Sequence, residues 1–487
     1  MVALVAVLGC SSALAAACAQ ADWTCGVGGQ PACPASDPVG SDGALPVTSP
    51  LRPLPPPSPG RALFARVNHH LPAGFNEGSV ALGLTQPEEA AAIGAGLGSS
   101  LVRVALNWAF TQATPGGTPD WRAWDRRYRA YTALGIRPIW AIQASPRWAV
   151  DPNVASADCP WRPARLLQGG QECLVGPSPA HRADYAAFAA QVARRYPLSA
   201  AIEIWNEPNL AYYWRDPDPV AYGALARVAT AAIRRANPAM RVLVGALAHP
   251  LYDGDRNSVR LDTFASELAR DGTIAAADGL SFHPYPQQLD AAPFRDSFAQ
   301  VDAALGTLQT RLVPDELGAS TADRGQGQYQ FSDSQQRDVI LAAYEAMDRA
   351  DPSLPRSGDV DAVVFHTDVD TPAGGFGFVT PDASASGGFV PRPVFCAIAQ
   401  LLRSTGLCGL PAAAPAAPVL TRQRARGARA CGAARKRQAA RHAARGRSRR
   451  ALAEAGAARA RQRRARGRGQ LRGCGRLLPG RYTPPRR

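Results

Sequence analysis

The chain has 487 residues, of which 46% are hydrophobic and 19% are charged, and its formal net charge is +15. Such a length accommodates one large domain with appendages, or two domains. Residues 421–487 contain 23 of the 54 Lys and Arg residues but only one of the 39 Asp and Glu residues, so the remainder of the chain is mildly acidic. The overall positive charge therefore gives no reason to predict nucleic-acid binding by the folded part.

The N-terminal residues predict export. Residues 2–19 are apolar, rich in small side chains and end in an Ala-x-Ala-like sequence, which is typical of a secretory signal peptide over residues 1–21. The sequence Val7-Leu8-Gly9-Cys10 also resembles a bacterial lipobox, so a lipid-anchored protein at the cell surface is the alternative to a secreted one. Residues 22–60 are rich in Pro, Gly and Ser and predict a disordered, semi-extended linker.

Strand and helix signals alternate through residues 61–410, which predicts a fold of the α/β class, a (β/α)8 TIM barrel. A doubly wound sheet would alternate as well, but no Gly-rich phosphate-binding sequence follows an early strand. Short apolar stretches predict strands at 80–84, 101–106, 137–142, 201–205, 241–247, 279–283, 312–315 and 362–366. Helical spacing of apolar residues predicts helices at 121–134, 181–195, 220–236, 294–310, 333–351 and 393–402.

The motif Trp205-Asn206-Glu207-Pro208-Asn209 ends the fourth predicted strand. In a TIM barrel the C-terminal ends of the strands hold the catalytic residues. A carboxylic acid beside an amide at that position suits proton donation to a leaving oxygen. A simple turn would explain Asn206 and Pro208 as chain breakers, but it would not explain the Glu between them.

A second acidic position follows the seventh predicted strand, where the chain reads Val313-Pro314-Asp315-Glu316-Leu317-Gly318. Hydrolysis of a glycosidic bond needs two carboxyl groups that flank the anomeric carbon. Side chains alternate along a strand, so only one of Asp315 and Glu316 is expected to point into the barrel mouth. The spacing alone leaves that choice open.

These motifs together resemble clan A glycoside hydrolases, most closely family 39 and next family 5. The run Ile202–Leu210 is similar to the acid/base strand of that clan. Leu101-Val102-Arg103-Val104, Phe282-His283-Pro284-Tyr285 and Asp315-Glu316-Leu317-Gly318 are similar to its second, sixth and seventh strands, in the expected order. The resemblance covers about residues 78–405.

The resemblance implies a retaining hydrolase of β-linked sugars, with Glu207 as the general acid/base. It also favours Glu316 as the nucleophile, because Glu-x-Gly is the commoner form of this motif in these families, and leaves Asp315 a structural role. Arg103 and Tyr285 would keep Glu316 ionised, since an adjacent cation or donor lowers the pKa of a carboxylate. Asn206 would bind the 2-hydroxyl group of the sugar.

The chain departs from the clan at the end of the eighth strand, where a Trp is usual. Here the sequence reads Val364-Phe365-His366-Thr367, so Phe365 or His366 could replace that ring, as could Trp108, Trp140 or Trp148. Each supporting residue also has a structural alternative, such as an ion pair in the core for Arg103. The predicted substrate contacts are Arg103, Asn206, His283, Tyr285, Trp148, Tyr213, Trp214 and His366.

The ten cysteines show no zinc-ligand spacing, so neither a metal nor another cofactor is predicted. In an exported chain they predict disulfides instead, and Cys159 with Cys173 and Cys396 with Cys408 are the expected pairs.

Residues 411–487 begin as an Ala/Pro linker and continue as an Arg-rich segment, for which a disordered, solvated tail is the simplest interpretation. The functional interpretation is that this segment attaches the protein to an anionic cell-surface polymer. Two alternatives to an enzyme stay open: a non-catalytic carbohydrate-binding barrel, and a surface-interaction protein attached through its basic tail. We expect a monomer.

Overall fold

A computed structural model describes residues 49–58, 61–153, 172–173, 175–248, 257–285, 294–322, 330–371, 374–384 and 388–403. Within these residues eight barrel strands alternate with eight helices of at least ten residues, and four short strands, Ser145–Pro146, Glu172–Cys173, Val379–Pro381 and Phe389–Pro391, form two separate pairs. The strands are β1 (Ala73–Asn76), β2 (Leu101–Asn107), β3 (Arg137–Gln143), β4 (Ala201–Ile204), β5 (Arg241–Ala248), β6 (Gly279–His283), β7 (Arg311–Pro314) and β8 (Val363–Phe365). The helices are α1 (Pro87–Leu97), α2 (Arg122–Ala133), α3 (Arg182–Arg195), α4 (Pro219–Ala236), α5 (Leu261–Arg270), α6 (Arg295–Leu305), α7 (Asp333–Asp348) and α8 (Pro393–Arg403).

The eight strands form one parallel sheet in the order β8-β1-β2-β3-β4-β5-β6-β7. Parallel bridges from Leu312 to Val360 and from Leu317 to Phe365 join β7 to β8 and close the sheet. A closed parallel sheet whose strands are each followed by a helix is a (β/α)8 barrel. The predicted fold class is confirmed.

The barrel interior changes character along its axis. At the N-terminal ends of the strands, it is filled by a cluster of buried apolar side chains, which we call the apolar plug. Two residues further along β2 and β4, on the same inward face, Arg103 and Glu203 are buried instead. The apolar plug comprises Leu63, Phe64, Leu101, Ile139, Ala200, Ala201, Leu243, Val313, Ala362 and Val364.

The predicted first strand at 80–84 is wrong. These residues form turns in which Leu82 and Leu84 are exposed, and the strand is instead Ala73–Asn76. The true strand is only four residues long and contains Gly74, which weakens its apolar signal. A side chain at Gly74 would lie 2.6 Å from the carbonyl oxygen of Leu101, so close contact with β2 requires glycine there.

The contacts of the barrel begin earlier in the chain than the predicted boundary at residue 61. The Ser49 hydroxyl donates to the Thr132 carbonyl at 2.8 Å, and Arg137 donates to the Arg52 carbonyl at 2.7 Å. Leu63 and Phe64 enter the apolar plug, where the Leu63 amide donates to Asp361 at 2.5 Å. Residues 49–58, assigned to the linker by composition, therefore contact the barrel.

Several predictions concern residues outside those described. The signal peptide or lipobox, most of the linker, the basic tail, Cys159 and Cys408 belong to this group. All described residues belong to one compact unit, Met1–Gly409, and none belongs to the second, Leu410–Arg487. Among the helices of the described ranges, none is long and apolar enough to cross a bilayer.

Candidate active site

Arg103 on β2 is the centre of a polar cluster at the C-terminal end of the barrel. It is 3% exposed, and its Nη1 donates to Glu316 Oε1 at 2.7 Å. Its Nη2 donates to Asn206 Oδ1 at 2.7 Å, and its Nε donates to Glu203 Oε2 at 2.7 Å. Burial alone would lower the pKa of Arg103, but the surrounding carboxylates outweigh burial and raise it, so the guanidinium stays charged.

Glu207 is placed by strained backbone just beyond β4. Both Trp205 and Glu207 have positive φ, at 71° and 45°, a conformation that non-glycine residues rarely adopt. The Glu207 amide donates to the Ala246 carbonyl at 3.1 Å. That acceptor is presented by an irregularity in β5, where the register against β6 shifts between Val244 and Leu247. Strain of this kind persists where neighbouring structure enforces it, commonly at functional sites.

The pKa of Glu207 is raised. Burial is the main cause, because the side chain is almost fully enclosed and the charged form is disfavoured there. His283 Nδ1, 2.7 Å from Glu207 Oε1, opposes the shift, and the negative charge of Glu316 adds to it. The net direction favours a protonated Glu207, which is what a proton donor requires.

The pKa of Glu316 moves in the opposite direction, to about 2. Burial would raise it, but the charges of His283, His366 and Arg103 and the Tyr285 hydroxyl together outweigh burial. Tyr285 donates to Glu316 Oε2 at 2.5 Å, and His366 Nδ1 lies 3.7 Å from the same oxygen. Glu316 is therefore an ionised carboxylate beside an acid whose pKa is raised.

The two carboxyl groups are close together. One oxygen of Glu207 lies within 4.8 Å of one oxygen of Glu316, and His283 lies within the same distance of both. Retaining glycosidases hold their carboxyl groups roughly 5–5.5 Å apart, whereas inverting enzymes need about 6.5–9.5 Å to admit a water molecule. The observed spacing fits the first geometry.

Asn206 and His283 lie where the sequence predicted them, beside the two carboxyl groups. Because Arg103 donates to the side-chain oxygen of Asn206, the amide nitrogen of Asn206 is its remaining donor. His283 at the end of β6 is fully buried, and its Nδ1 contacts Glu207 at 2.7 Å and Glu316 at 3.5 Å. Asn206 thus keeps a donor at the site, and His283 contacts both carboxyl groups.

Three rings pack on one side of Glu316. Tyr285, His366 and Phe376 contact one another edge to face, with ring centres 5.1–5.8 Å apart. His366 is partly exposed and follows β8, the position where the clan usually has a Trp. Phe365 is fully buried in the core, so of the two alternatives at this position only His366 reaches the site.

The predicted aromatic contacts Trp214, Tyr213 and Trp148 are buried to different degrees. Trp214 is 6% exposed and packs on Trp205 and Tyr222, and its contact with substrate stays a prediction. The Trp214 ring can pack inward because Gly176 has no side chain to occupy that space. Tyr213 is half-buried and contributes to the raised pKa of Tyr285, after burial and Glu316, which places it near the site.

Trp148 follows β3 in the short helix Arg147–Ala149. It is half-buried, packs edge-on against Trp108 at 5.4 Å, and donates from its indole nitrogen to the Gln112 carbonyl at 3.2 Å. Trp108 and Trp140, the other candidate platforms, are fully buried core residues. A role for Trp148 in sugar binding stays a prediction.

Sequence reasoning missed the layer beneath the carboxyl pair. Glu203, Ser281 and Asp315 are fully buried there, and the Ser281 hydroxyl donates to Glu203 Oε1 at 2.5 Å. Of these two adjacent acids only Glu316 reaches the barrel mouth, as expected, since Asp315 is fully buried beneath it, but both contact Arg103. Strand β7 ends at Pro314, so the alternation of side chains no longer applies. The sequence signal that could have revealed this layer is Glu203, a lone charged residue inside the apolar stretch Ala201–Ile204.

Glu207, His283 and Glu316 have the spacing of a possible cation site. Around Glu316, however, Arg103 already supplies a positive charge, and Tyr285 donates a hydrogen bond to it. An added cation would be repelled by Arg103 at this distance. The arrangement is better suited to acid–base and nucleophilic chemistry.

Comparisons with known proteins give the following likenesses. No protein-family model matches the sequence, and no curated protein is similar to it. A family 39 glycoside hydrolase from Bacteroides cellulosilyticus WH2 has a TM-score of 0.48 and 16% identity over 70% of this chain and 65% of its own. The family 39 enzyme of Xanthomonas axonopodis pv. citri has a TM-score of 0.49 and 17% identity, over 70% and 67%.

A monomeric β-xylosidase from Caulobacter crescentus CB15 is also similar, with a TM-score of 0.45 and 18% identity over 72% of this chain and 70% of its own. The chain spans slightly less than two thirds of the first of these three structures. At such low identity the function has to be inferred from the residues of this chain.

Proposed function

We propose that this protein is a retaining glycoside hydrolase that cleaves β-linked poly- or oligosaccharides by double displacement. The observation that carries the proposal is one pair of carboxyl groups, within 4.8 Å, whose pKa values are shifted in opposite directions. Environments that push two neighbouring acids apart in this way assign one as proton donor and the other as nucleophile. The order of the four motifs along the chain supports the same chemistry.

In the first step, Glu316 attacks the anomeric carbon while Glu207 donates its proton to the departing oxygen. A covalent glycosyl ester and an alcohol result. In the second step, Glu207, now ionised, takes a proton from water as the water attacks the anomeric carbon and releases Glu316. Arg103 and Tyr285 stabilise the carboxylate of Glu316 before attack and again as it leaves.

Glu316→Ala tests the nucleophile. We expect kcat to fall by roughly 10⁴-fold or more on every substrate, because the covalent route is lost. Added azide should restore part of the turnover on aryl β-glycosides and give the glycosyl azide of inverted configuration. Glu345→Ala, on α7, is the matched control and should leave turnover unchanged. Full activity of Glu316→Ala would contradict the assignment.

Glu207→Ala tests the proton donor. The loss should be far greater for substrates with poor leaving groups than for activated aryl glycosides, which need little protonation. Azide should here give the glycosyl azide of retained configuration. Equal losses on both kinds of substrate would show that Glu207 is not the donor.

Binding without turnover on a panel of α- and β-linked aryl glycosides and polysaccharides would favour a non-catalytic carbohydrate-binding barrel. The linkage that is cleaved, and whether cleavage is endo or exo, would be read from the products of the same panel.

The proposal includes a location and a role for the basic tail. We propose export by residues 1–21, with a secreted or cell-surface destination, and electrostatic attachment of residues 421–487 to anionic polymer. A chain truncated after Leu410 should fold and hydrolyse soluble substrate at the full rate. Polymer binding by the intact chain should weaken steeply with salt, since exposed charges are screened over about 10 Å at 0.1 M. Salt-independent binding, or binding retained after truncation, would contradict this role.

A further inference from the structure

Two carboxyl groups with no assigned role lie together inside the barrel beneath Glu316. Glu203 on β4 and Asp315 at the end of β7 are both 0% exposed. Arg103 contacts each of them, at 2.6 Å from Glu203 Oε2 and 3.0 Å from Asp315 Oδ2. The same guanidinium also contacts Glu316 at 2.7 Å. One buried cation therefore faces two fully buried carboxyl groups and one that is partly exposed.

Glu203 Oε2 and Asp315 Oδ2 both lie against the same nitrogen of Arg103, at 2.7 Å and 3.0 Å from its Nε. That nitrogen carries one hydrogen, so it can donate fully to only one of the two oxygens. The oxygens of Asp315 have no well-oriented hydrogen-bond donor in the described part of the chain, whereas Glu203 accepts from Ser281 and Arg103. The better-supported partner, Glu203, is the one suited to carry the negative charge.

We propose that Glu203 and Asp315 share one proton, carried by Asp315, and that this proton balances the charge beneath the reacting carboxyl groups. With Asp315 neutral, the charge of Arg103 is divided between Glu203 and Glu316 alone. Asp315 then acts as a positioning residue, because it sets the electrostatic environment of Glu207 and Glu316 without touching substrate. The kinetic part of this inference rests on the proposed function.

The shifts in pKa agree with that distribution. Burial, followed by the charge of Glu203, raises the pKa of Asp315 well above its usual value. Burial would also raise the pKa of Glu203, but Arg103, followed by hydrogen bonds from Asp315 and Ser281, lowers it overall. A buried pair of acids that cannot both ionise titrates as a unit.

The charged and titratable groups that face Asp315 come from several elements. Arg103 on β2 contacts it directly, Glu203 on β4 lies against the same nitrogen of Arg103, and His283 on β6 places its Nε2 3.5 Å from Asp315 Oδ1. Glu316 raises the pKa of Asp315 as a neighbouring negative charge. On α4, Tyr222 donates to the Ile204 carbonyl, and burial, followed by its nearness to the two acids, raises its pKa.

Asp315→Asn tests the protonation state, because the amide reproduces a neutral donor to Glu203. The expected result is a loss of kcat/KM of about threefold to tenfold at every pH, with no movement of the basic limb of the pH profile. That limb reports deprotonation of Glu207. If Asp315 were ionised, its neutralisation would remove a negative charge, lower the pKa of Glu207 and move the limb to lower pH. Such a movement would overturn the proposal.

Glu203→Gln and the double variant extend the test. In Glu203→Gln, Asp315 should lose its proton and become the ionised partner of Arg103. The total charge beneath Glu207 is then unchanged, so the basic limb of the pH profile should again stay in place. The double variant has neither charge, and its basic limb should move to lower pH by roughly one to two units. Shifts that simply add from the single variants to the double would show two independent charges and would overturn the shared proton.

An infrared measurement separates this inference from the proposed function, because it needs no substrate. The wild-type protein at neutral pH should show the carbonyl stretch of a protonated carboxylic acid that disappears in Asp315→Asn and in Glu203→Gln. Either variant suffices if the other does not fold. A spectrum in which neither variant removes such a band would overturn the proposal even if the protein is an active hydrolase.

Discussion

The two ends of the barrel interior are built from the same strands but differ in chemistry. At the N-terminal end, Leu101 and Ala201 are packed in the apolar plug. Two residues further along the same two strands, Arg103 and Glu203 are equally buried but charged. Burial of apolar surface stabilises the first end, whereas charges removed from water destabilise unless every one is paired. The comparison teaches that one end of this barrel maintains the fold and the other positions reactive groups.

Arg103→Met would break the charged end most severely. It removes the shared cation and leaves buried carboxyl groups unpaired, and we expect kcat/KM to fall by at least about 10³-fold. The pKa of Glu316, now about 2, should rise, because Arg103 is one of the charges that lowers it. Activity needs ionised Glu316, so the acidic limb of the pH profile should move to higher pH. The pH dependence of kcat/KM measures both effects, and a limb that stays in place would contradict them.

Phe64→Ala tests the other end. Phe64 is 6% exposed, and its ring lies 5.7 Å from the guanidinium of Arg241. Removal of a buried phenyl ring should lower the free energy of unfolding by roughly 3–5 kcal/mol. Turnover at a temperature where the variant is folded should be unchanged, because the plug lies at the opposite end from Glu207. Denaturant unfolding and steady-state kinetics of the same preparation would show whether stability falls while turnover is retained.

Tyr285→Phe sharpens the comparison with a smaller change. The variant loses only the hydroxyl that donates to Glu316 at 2.5 Å. A hydrogen bond to a charged group contributes about 1.5–3 kcal/mol, so kcat/KM should fall by about 10- to 100-fold. The acidic limb should again move to higher pH, by less than in Arg103→Met. A loss in stability comparable to that of Phe64→Ala would mean that Tyr285 supports the fold instead.

Asp368, just beyond β8, gives an effect with a distinct pH signature. Burial raises its pKa to about 6, against the hydrogen bonds that it accepts from Ser79. Because the folded-state pKa is above the unfolded value of 3.8, its contribution to stability is present below pH 3.8 and is lost as pH rises through 6. Asp368→Asn should therefore gain stability relative to the wild type as pH rises through this range, by up to about 3 kcal/mol. Unfolding free energies at pH 4 and pH 8 would test the sign.

Much of this site could be predicted from the sequence because its strongest signals are local. Glu207 and Asn206 stand in one motif at the end of an apolar strand, and Arg103, His283, Tyr285 and Glu316 follow comparable stretches. Strand ends of a parallel barrel meet at one face, so the order of the motifs was sufficient to bring these residues together. The fold class followed from the same alternation of strands and helices.

What the sequence by itself determined is therefore the barrel, the face that holds the site and the residues at its strand ends. Only the tertiary structure decided that Asp315 and Glu316 both face Arg103, that Glu203 lies beneath them, and that Trp214 is buried. It also decided that the first strand is Ala73–Asn76 and that residues 49–58 contact the barrel. The physical reason is that burial and pKa depend on contacts between residues far apart in sequence, such as Arg103 and Glu316, and no local pattern encodes the distance between them.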